Sequence, residues 1–448
     1  MTAGGGAKSA SRPKSLAPGE QFKAFLHRET SGAIVLMVAT VIAVAVANSP
    51  LAPAYNGFLH TDVGLFSGRH GFAQSVQHWI DDALMAIFFF VVGLEIKREF
   101  IVGELSSLRG ALLPICAALG GMLVPAAVYL AFNAGGRDAA GWGVPMATDI
   151  AFALGVLALL GSRVPSGLKL FLAALAIAGD IGAILVIAVF YTAQIHAAWL
   201  ALALVPLAAL VAMNRRHVEE PLAYLAVGAA LWFAVLSSGI HATIAGVIAA
   251  FTVPAMARLR PLEFTNLCHM RLADIEAIEV PGAHTLEDDR QQEIALEIQQ
   301  AALHSVAPLQ RLEWAMHPFA TFVVLPAFAL ANAGIPITGA GLGSAVALGI
   351  FLGLVVGKLA GVSLATWLAV RAGVADLPAG VGWRHVVGAG ALAGIGFTMS
   401  LFVSNLAFAA AVESAQAKSA VFVASITAGL LGYGLLRFWA PAASSGKP

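Results

Sequence analysis

The chain reads as long apolar runs separated by short polar turns, with one long polar interruption. A helix needs about 20 mostly apolar residues to cross the hydrocarbon, and about twelve segments satisfy that rule. They centre near Val41, Ile87, Leu123, Phe152, Leu175, Leu204, Ala230, Ile248, Val324, Leu354, Ile395 and Leu430. The polar stretch before the first run lacks the apolar core of a signal peptide, so no cleavage is expected and 34–47 should serve as an uncleaved first span. The interruption covers roughly 257–312. Within it, 288–306 sets Ile294, Ile298, Ala302 and Val306 at helical spacing among charges, which predicts a short amphipathic helix on the cytoplasmic face. The expected layout is a polar tail (1–29), spans one to eight (30–256), a hydrophilic loop (257–316), spans nine to twelve (317–440) and a short tail (441–448).

Composition agrees with that pattern. Of 448 residues, 59% are hydrophobic and 11% charged, and the mean hydropathy is +0.85. A soluble domain carries about 25% charged residues. The fold class expected is therefore an all-α polytopic membrane protein. The formal net charge is zero, which leaves no nucleic-acid footprint. Cys116 lies in an apolar run and Cys268 in the polar loop, so the two make neither a disulfide framework nor a metal site.

Lys and Arg orient the chain. With the N-terminus inside and twelve alternating spans, only Arg69, Arg137 and Lys418 fall outside, and Lys358 lies within the membrane. The other 21 of the 25 basic residues fall inside. The positive-inside rule then places both termini in the cytoplasm.

Two spans are unfit to be continuous helices. One, 141–155, carries Pro145 and puts Thr148 and Asp149 at mid-span. The other, 388–400, has glycines at 388, 390, 394 and 396, each weakening a helix by about 1 kcal/mol against Ala. They are the fourth and eleventh spans, the middle members of two three-span groups. Paired interruptions in corresponding positions point to the site of a transporter built from inverted repeats, here spans 3–5 and 10–12, whose broken helices would cross at mid-membrane. Close small-residue packing is the plainer reading of the Gly-rich span. Such a crossing leaves two positive and two negative helix ends at midplane, each about half a charge. Asp149 and Lys358 have the signs to neutralise them. For Asp149, that structural role and direct cation contact both stand.

Charge inside apolar runs marks ion or proton pathways. Asp180 is a lone acid at mid-span with no local basic partner. A carboxyl there can hold a proton or a small cation, but not both, and that competition is itself an exchange mechanism. Hard oxygen donors suit Na⁺: the carboxylate, the Thr148 hydroxyl and carbonyls freed by the break. Glu95, beside Lys97, Arg98 and Glu99, is either a cation funnel or an interfacial salt-bridge cluster. Asp82 is either a pathway residue or a helix cap. His241 opens a span at the outer face, as a structural group or a pH sensor.

These residues fall in runs that resemble the NhaA family of bacterial Na⁺/H⁺ antiporters across essentially all spans. The runs are Asp82-Ala-Leu-Met-Ala with Val92-Gly-Leu-Glu-Ile-Lys-Arg-Glu, and Ala147-Thr-Asp-Ile-Ala-Phe-Ala-Leu-Gly followed by Val156-Leu-Ala-Leu-Leu-Gly-Ser-Arg-Val-Pro. Further along come Gly239-Ile-His-Ala-Thr-Ile-Ala-Gly, Ala331-Asn-Ala-Gly, Gly357-Lys358 and Gly394-Ile-Gly-Phe-Thr-Met-Ser. The resemblance implies electrogenic exchange of two protons for one Na⁺ or Li⁺, activated at alkaline pH. It further implies a homodimer in the bacterial inner membrane and no cofactor. By motif position, Asp180 resembles the cation- and proton-binding aspartate. Thr148 and Asp149, with Gly394 and Gly396, resemble the broken-helix site, and Lys358 the midplane lysine. Glu95, Arg98, Glu99, His241, Glu313 and His317 resemble positions of pH response.

Two departures stand out. The family's Asp-Asp pair reads Gly179-Asp180 here, so Lys358 loses its expected counter-ion. It is expected to be deprotonated at neutral pH or paired elsewhere, with Asp149 or Asp180, and the two-to-one stoichiometry becomes an open question. In Leu312-Glu-Trp-Ala-Met-His-Pro, Trp314 replaces a histidine, which bears on pH activation. Three rivals are weaker. The acid sites Ala147-Thr-Asp and Ile177-Ala-Gly-Asp fit neither motif of an intramembrane aspartyl protease, and no hydrolase motif occurs, so no enzyme is expected. A passive channel would conduct without a proton counter-gradient. An organic-solute symporter would place aromatic or Arg contacts at the breaks, and none is found.

Overall fold

The structure, a computed structural model, describes residues 18–67, 70–192, 195–278, 289–335 and 341–442. Lys8, Arg12, Lys14, Arg69, Asp288 and Lys447 of the expected layout lie outside them. Among the described residues, seven helices are long and apolar enough to cross a membrane, or ten if each of three bent pairs counts as one span. This is an all-α polytopic membrane protein.

Packing divides the helices into two groups. The larger apolar core gathers side chains from Leu108–Asn133, Ser166–Phe190, the bent pairs and Ala411–Trp439. The helix Ala345–Arg371 runs along Leu108–Asn133 at very short range. A Cβ built at Gly120 would lie 2.3 Å from the Gly361 carbonyl, and one at Gly361 would lie 2.2 Å from the Gly120 carbonyl. Only glycine lets these two backbones meet, which is how small residues draw membrane helices together. The second core joins Pro221–Ser238, Thr243–Thr252 and part of Met85–Val102. Ala197–Arg215 is peripheral: 11% of its apolar window is buried within the protein, against 61% for Ser166–Phe190 and Ala345–Arg371. Its apolar surface therefore faces outward, as lipid contact requires.

Several boundaries differ from the sequence reading. The first helix runs Pro18–Ala47, so the expected edge at 29–30 falls inside it. The span expected from 317 begins at Pro308, because the polar positions 311–313 continue the same helical phase. The polar interruption holds two helices, Pro261–Ile278 and Asp289–His304, joined by an Arg271–Glu297 ion pair of 2.7 Å. The second lies within the stretch 288–306, and it buries Ile294 and Ala301. The first has too weak an apolar periodicity to have been read from sequence. An antiparallel pair of strands, Asp62–Ser67 and His70–Ser75, was also not foreseen.

Candidate functional site

The two irregular spans break where Pro145 and the glycines suggest. The first is a ten-residue 3₁₀ segment, Arg137–Met146, followed after 147–149 by the α-helix Ile150–Leu159, with a 40° bend. The second is Trp383–Leu392, then 393–396, then Phe397–Ala407, with a 48° bend. A Cβ at Gly394 would sit 2.3 Å from the Leu354 carbonyl, so only glycine allows this approach to the lysine-bearing helix.

The breaks are stitched to each other. The Asp149 amide donates to the Ile395 carbonyl at 2.6 Å, and the Thr148 hydroxyl donates to the Ala393 carbonyl at 2.9 Å. Groups orphaned by one break thus satisfy those orphaned by the other, as buried backbone demands. Ser400 adds a bond from its hydroxyl to the Val144 carbonyl, 2.8 Å.

Asp149 sits between two helix N-termini. Its Oδ1 accepts from the Phe152 amide at 3.1 Å, capping its own helix. Its Oδ2 accepts from the Thr398 amide at 3.0 Å and, more closely, from the Thr398 hydroxyl. Both oxygens are engaged, and the side chain is 2% exposed. Of the two roles open for Asp149, the geometry displays the capping one: a carboxylate offsets two positive helix ends.

Lys358 does the opposite job. It follows a single wide turn, Gly353–Gly357, and its Nζ donates to the Met146 carbonyl at 2.5 Å and to the Thr148 hydroxyl at 2.8 Å. Met146 is the last residue of the first half-helix, so the ammonium covers its negative end. Of the two outcomes expected for Lys358, pairing with Asp149 or Asp180 is not seen among the described residues. Asp149 is fully used by amides, and the nearest strong acceptors for Nζ are those of the break. A Cβ at Gly179 would meet nothing within 4 Å, so the chain has space where a second acid is lacking.

Asp180 is buried too, at 5% exposure, yet it makes no hydrogen bond or ion pair among the described residues. It lines a cavity of about 70 Å³ together with Glu95, Ile150, Ala151, His317 and Thr321. Liquid water occupies about 30 Å³ per molecule, so this space suits one or two waters or a small cation. Asp180 is also within electrostatic reach of Glu95, Asp149 and Lys358.

The remaining candidates separate by location. Arg98 pairs with Glu313 at 2.6 Å and with Glu99 at 3.3 Å. Glu95 makes neither of those pairs and lines the Asp180 cavity. His241 Nε2 lies 2.5 Å from the Tyr191 carbonyl. Asp82 is not a helix cap: Ser75 takes that role, accepting from the His78 amide, while Asp82 lies inside the wide-turn stretch Trp79–Leu84.

Sequence reading passed over two groups. Thr398 stood unmarked inside the Gly-rich run. Asp81 was overlooked beside Asp82, yet it accepts from Asn332 Nδ2 at 2.6 Å and Asn405 Nδ2 at 3.4 Å, and Asn405 Nδ2 also reaches Asn332 Oδ1 at 2.7 Å. The usable signal was an amide in each of two apolar spans.

Known proteins are similar to this chain in sequence. Residues 23–436 match the family model described as Na⁺/H⁺ antiporter 1. Among curated relatives, the Na(+)/H(+) antiporter NhaA of Acidithiobacillus ferrooxidans is 49% identical over 416 residues, covering 92% of this chain and 95% of the relative. The protein of the same name from Oleidesulfovibrio alaskensis is 47% identical, covering 95% and 94%, and that of Anaeromyxobacter sp. is 46% identical, covering 95% and 93%. The chain belongs to the Na⁺/H⁺ antiporter 1 family, whose curated members bear the name NhaA, and it is a transporter rather than an enzyme.

Proposed function

We propose that this protein exchanges Na⁺, and Li⁺, for protons by competition at Asp180. The observation that carries the reading is a buried carboxylate without a hydrogen bond or ion pair, opening on a cavity shared with Glu95. A protonated Asp180 has no site for a cation; a deprotonated one supplies a hard oxygen ligand. Cation binding therefore grows as pH rises, which is the sign of alkaline activation. Glu95, Arg98, Glu99, Glu313 and His317 are the positions proposed for pH response near this site: Arg98 pairs with Glu313, and Glu95 and His317 line the Asp180 cavity. His241 stands outside this group as a further position proposed for pH response.

Thr148 touches Lys358. Its hydroxyl is the second oxygen proposed for Na⁺, and it now accepts from the Lys358 ammonium. A cation using that oxygen competes with the ammonium. Na⁺ entry thus displaces one proton from Asp180 and one from Lys358, two protons for one Na⁺, although Gly179 replaces the usual second acid. The exchange is electrogenic on this account, with Lys358 itself as the second proton carrier. Asp82 lies on the route beyond the cavity.

Twelve crossings complete the proposed topology. The ten apolar spans are joined by 76–102, which carries too many charges for a simple hydropathy criterion, and by the shorter Thr243–Thr252. The hydrogen-bonded breaks support spans four and eleven crossing at mid-membrane within inverted repeats. The charge bias supports cytoplasmic termini in a bacterial inner membrane, and the family resemblance supports a homodimer.

The test is Asp180→Asn in everted vesicles, reading the pH change on adding Na⁺, Li⁺ or K⁺. Wild type should respond to Na⁺ and Li⁺ and not to K⁺, and the variant to none. Undiminished exchange by the variant would overturn the mechanism.

A further inference from the structure

Arg163 and Arg437 come from distant parts of the sequence to one surface pocket. Arg163 closes the short turn after Ile150–Leu159, and Arg437 lies in the last turn of Ala411–Trp439. The pocket measures about 480 Å³ and is lined by Leu159, Leu160, Ser162, Arg163, Tyr433 and Arg437, with Ala442 at its edge. No acidic side chain lines it. Neither arginine forms an ion pair among the described residues.

A plain account of each arginine is that a cation suits a helix C-terminus. That account predicts guanidinium groups whose donors are paired or hydrated. Arg163 departs from it: its Nε is shut from solvent and has no hydrogen-bond partner. An orphaned charged donor is costly unless an acceptor arrives. Two guanidinium groups lining one pocket, with no counter-ion among the described residues, repel each other, and that cost too is removed by an anion. The Ser162 and Tyr433 hydroxyls add neutral donors to the same wall.

We propose that this pocket binds a phosphate group, with Arg163 and Arg437 as its cationic ligands. Arginine's fork matches phosphate oxygens better than any other side chain does. The pocket lies where two spans end, which is the depth of lipid headgroups, and Leu159 beside it is 70% exposed, an apolar surface along which an acyl chain can lie. Basic pockets between span ends are the form that headgroup sites take. A headgroup and free inorganic phosphate share this chemistry and differ in the chains attached.

The experiment follows thermal unfolding of the purified full-length protein in neutral detergent. Additions are phosphatidylglycerol, zwitterionic phosphatidylcholine, or inorganic phosphate at fixed ionic strength. The wild type should be stabilised by phosphatidylglycerol above phosphatidylcholine, and Arg163→Gln/Arg437→Gln should lose that difference. Arg371→Gln, a basic residue at another span end, should keep it. If the double variant does not fold, Arg437→Gln alone should lower the apparent lipid affinity about tenfold, the worth of one charge-assisted bond. An equal shift with inorganic phosphate, lost in the same variants, assigns the pocket to the free anion. A phosphatidylglycerol preference that survives in Arg163→Gln/Arg437→Gln, or is absent from the wild type, overturns the proposal.

Discussion

Asp149 and Asp180 are both buried aspartates in apolar spans, yet the fold treats them oppositely. Asp149 is held by the Phe152 and Thr398 amides and the Thr398 hydroxyl, between two helix ends. Asp180 faces a small cavity and makes no such bond. A carboxylate committed to fixed donors stabilises a geometry. A carboxylate left unsatisfied must find a mobile partner, and the only partners small enough are water, a proton or a bare cation. On the proposed mechanism, scaffold and chemistry are distinguished by hydrogen-bond occupancy, not by burial or residue type.

The contrast is sharpest when the two acids are made neutral. Asp180→Asn should abolish Na⁺-dependent proton flux. Asp149→Asn keeps a side-chain oxygen suited to an N-cap, so exchange should persist with a raised Na⁺ requirement. Equal, complete loss in both variants, at comparable protein levels, would erase the distinction. Next in size, Lys358→Ala removes the proposed second proton. In proteoliposomes, wild-type exchange should respond to an imposed membrane potential, and whatever exchange Lys358→Ala retains should ignore it. A potential-sensitive variant would show that the second proton lies elsewhere.

Gly179→Asp probes the other side of the comparison by adding an acid where there is space for one. The variant should fold, with an unfolding temperature near that of wild type, since nothing lies within 4 Å of the new Cβ. A counter-ion for Lys358 should also shift the pH at which exchange begins. Asn405→Ala is the mildest change. It unties one member of the Asp81–Asn332 group, and interhelical hydrogen bonds in membranes average about 0.6 kcal/mol. A small loss of thermal stability with nearly normal exchange is expected; a collapse of transport would give this outer cluster a place in the mechanism.

Much of this was legible in the apolar pattern. Runs long enough to cross hydrocarbon, the basic bias between their ends, and Pro145 and the clustered glycines needed no partner to be interpreted. Asp180 also stood out, because nothing in its own span offsets its charge. The partners of Lys358 did not. Sequence offered Asp149 and Asp180 as the available opposite charges, whereas the structure supplies the Met146 carbonyl and the Thr148 hydroxyl. A freed carbonyl at a helix end has no letter in the sequence. Thr398 and Asp81 were hidden for a related reason: the Thr398–Asp149 and Asn332–Asp81 bonds join residues 249 and 251 positions apart.

The sequence by itself determined the class, the two interrupted segments and the lone acid at 180, because hydrocarbon penalises charge and interrupted helices wherever they occur. Tertiary structure decided which acid is bound and which is open, where the lysine rests, and how two breaks complete each other. Those outcomes depend on which backbone groups meet in space, and a linear pattern carries no distances between spans.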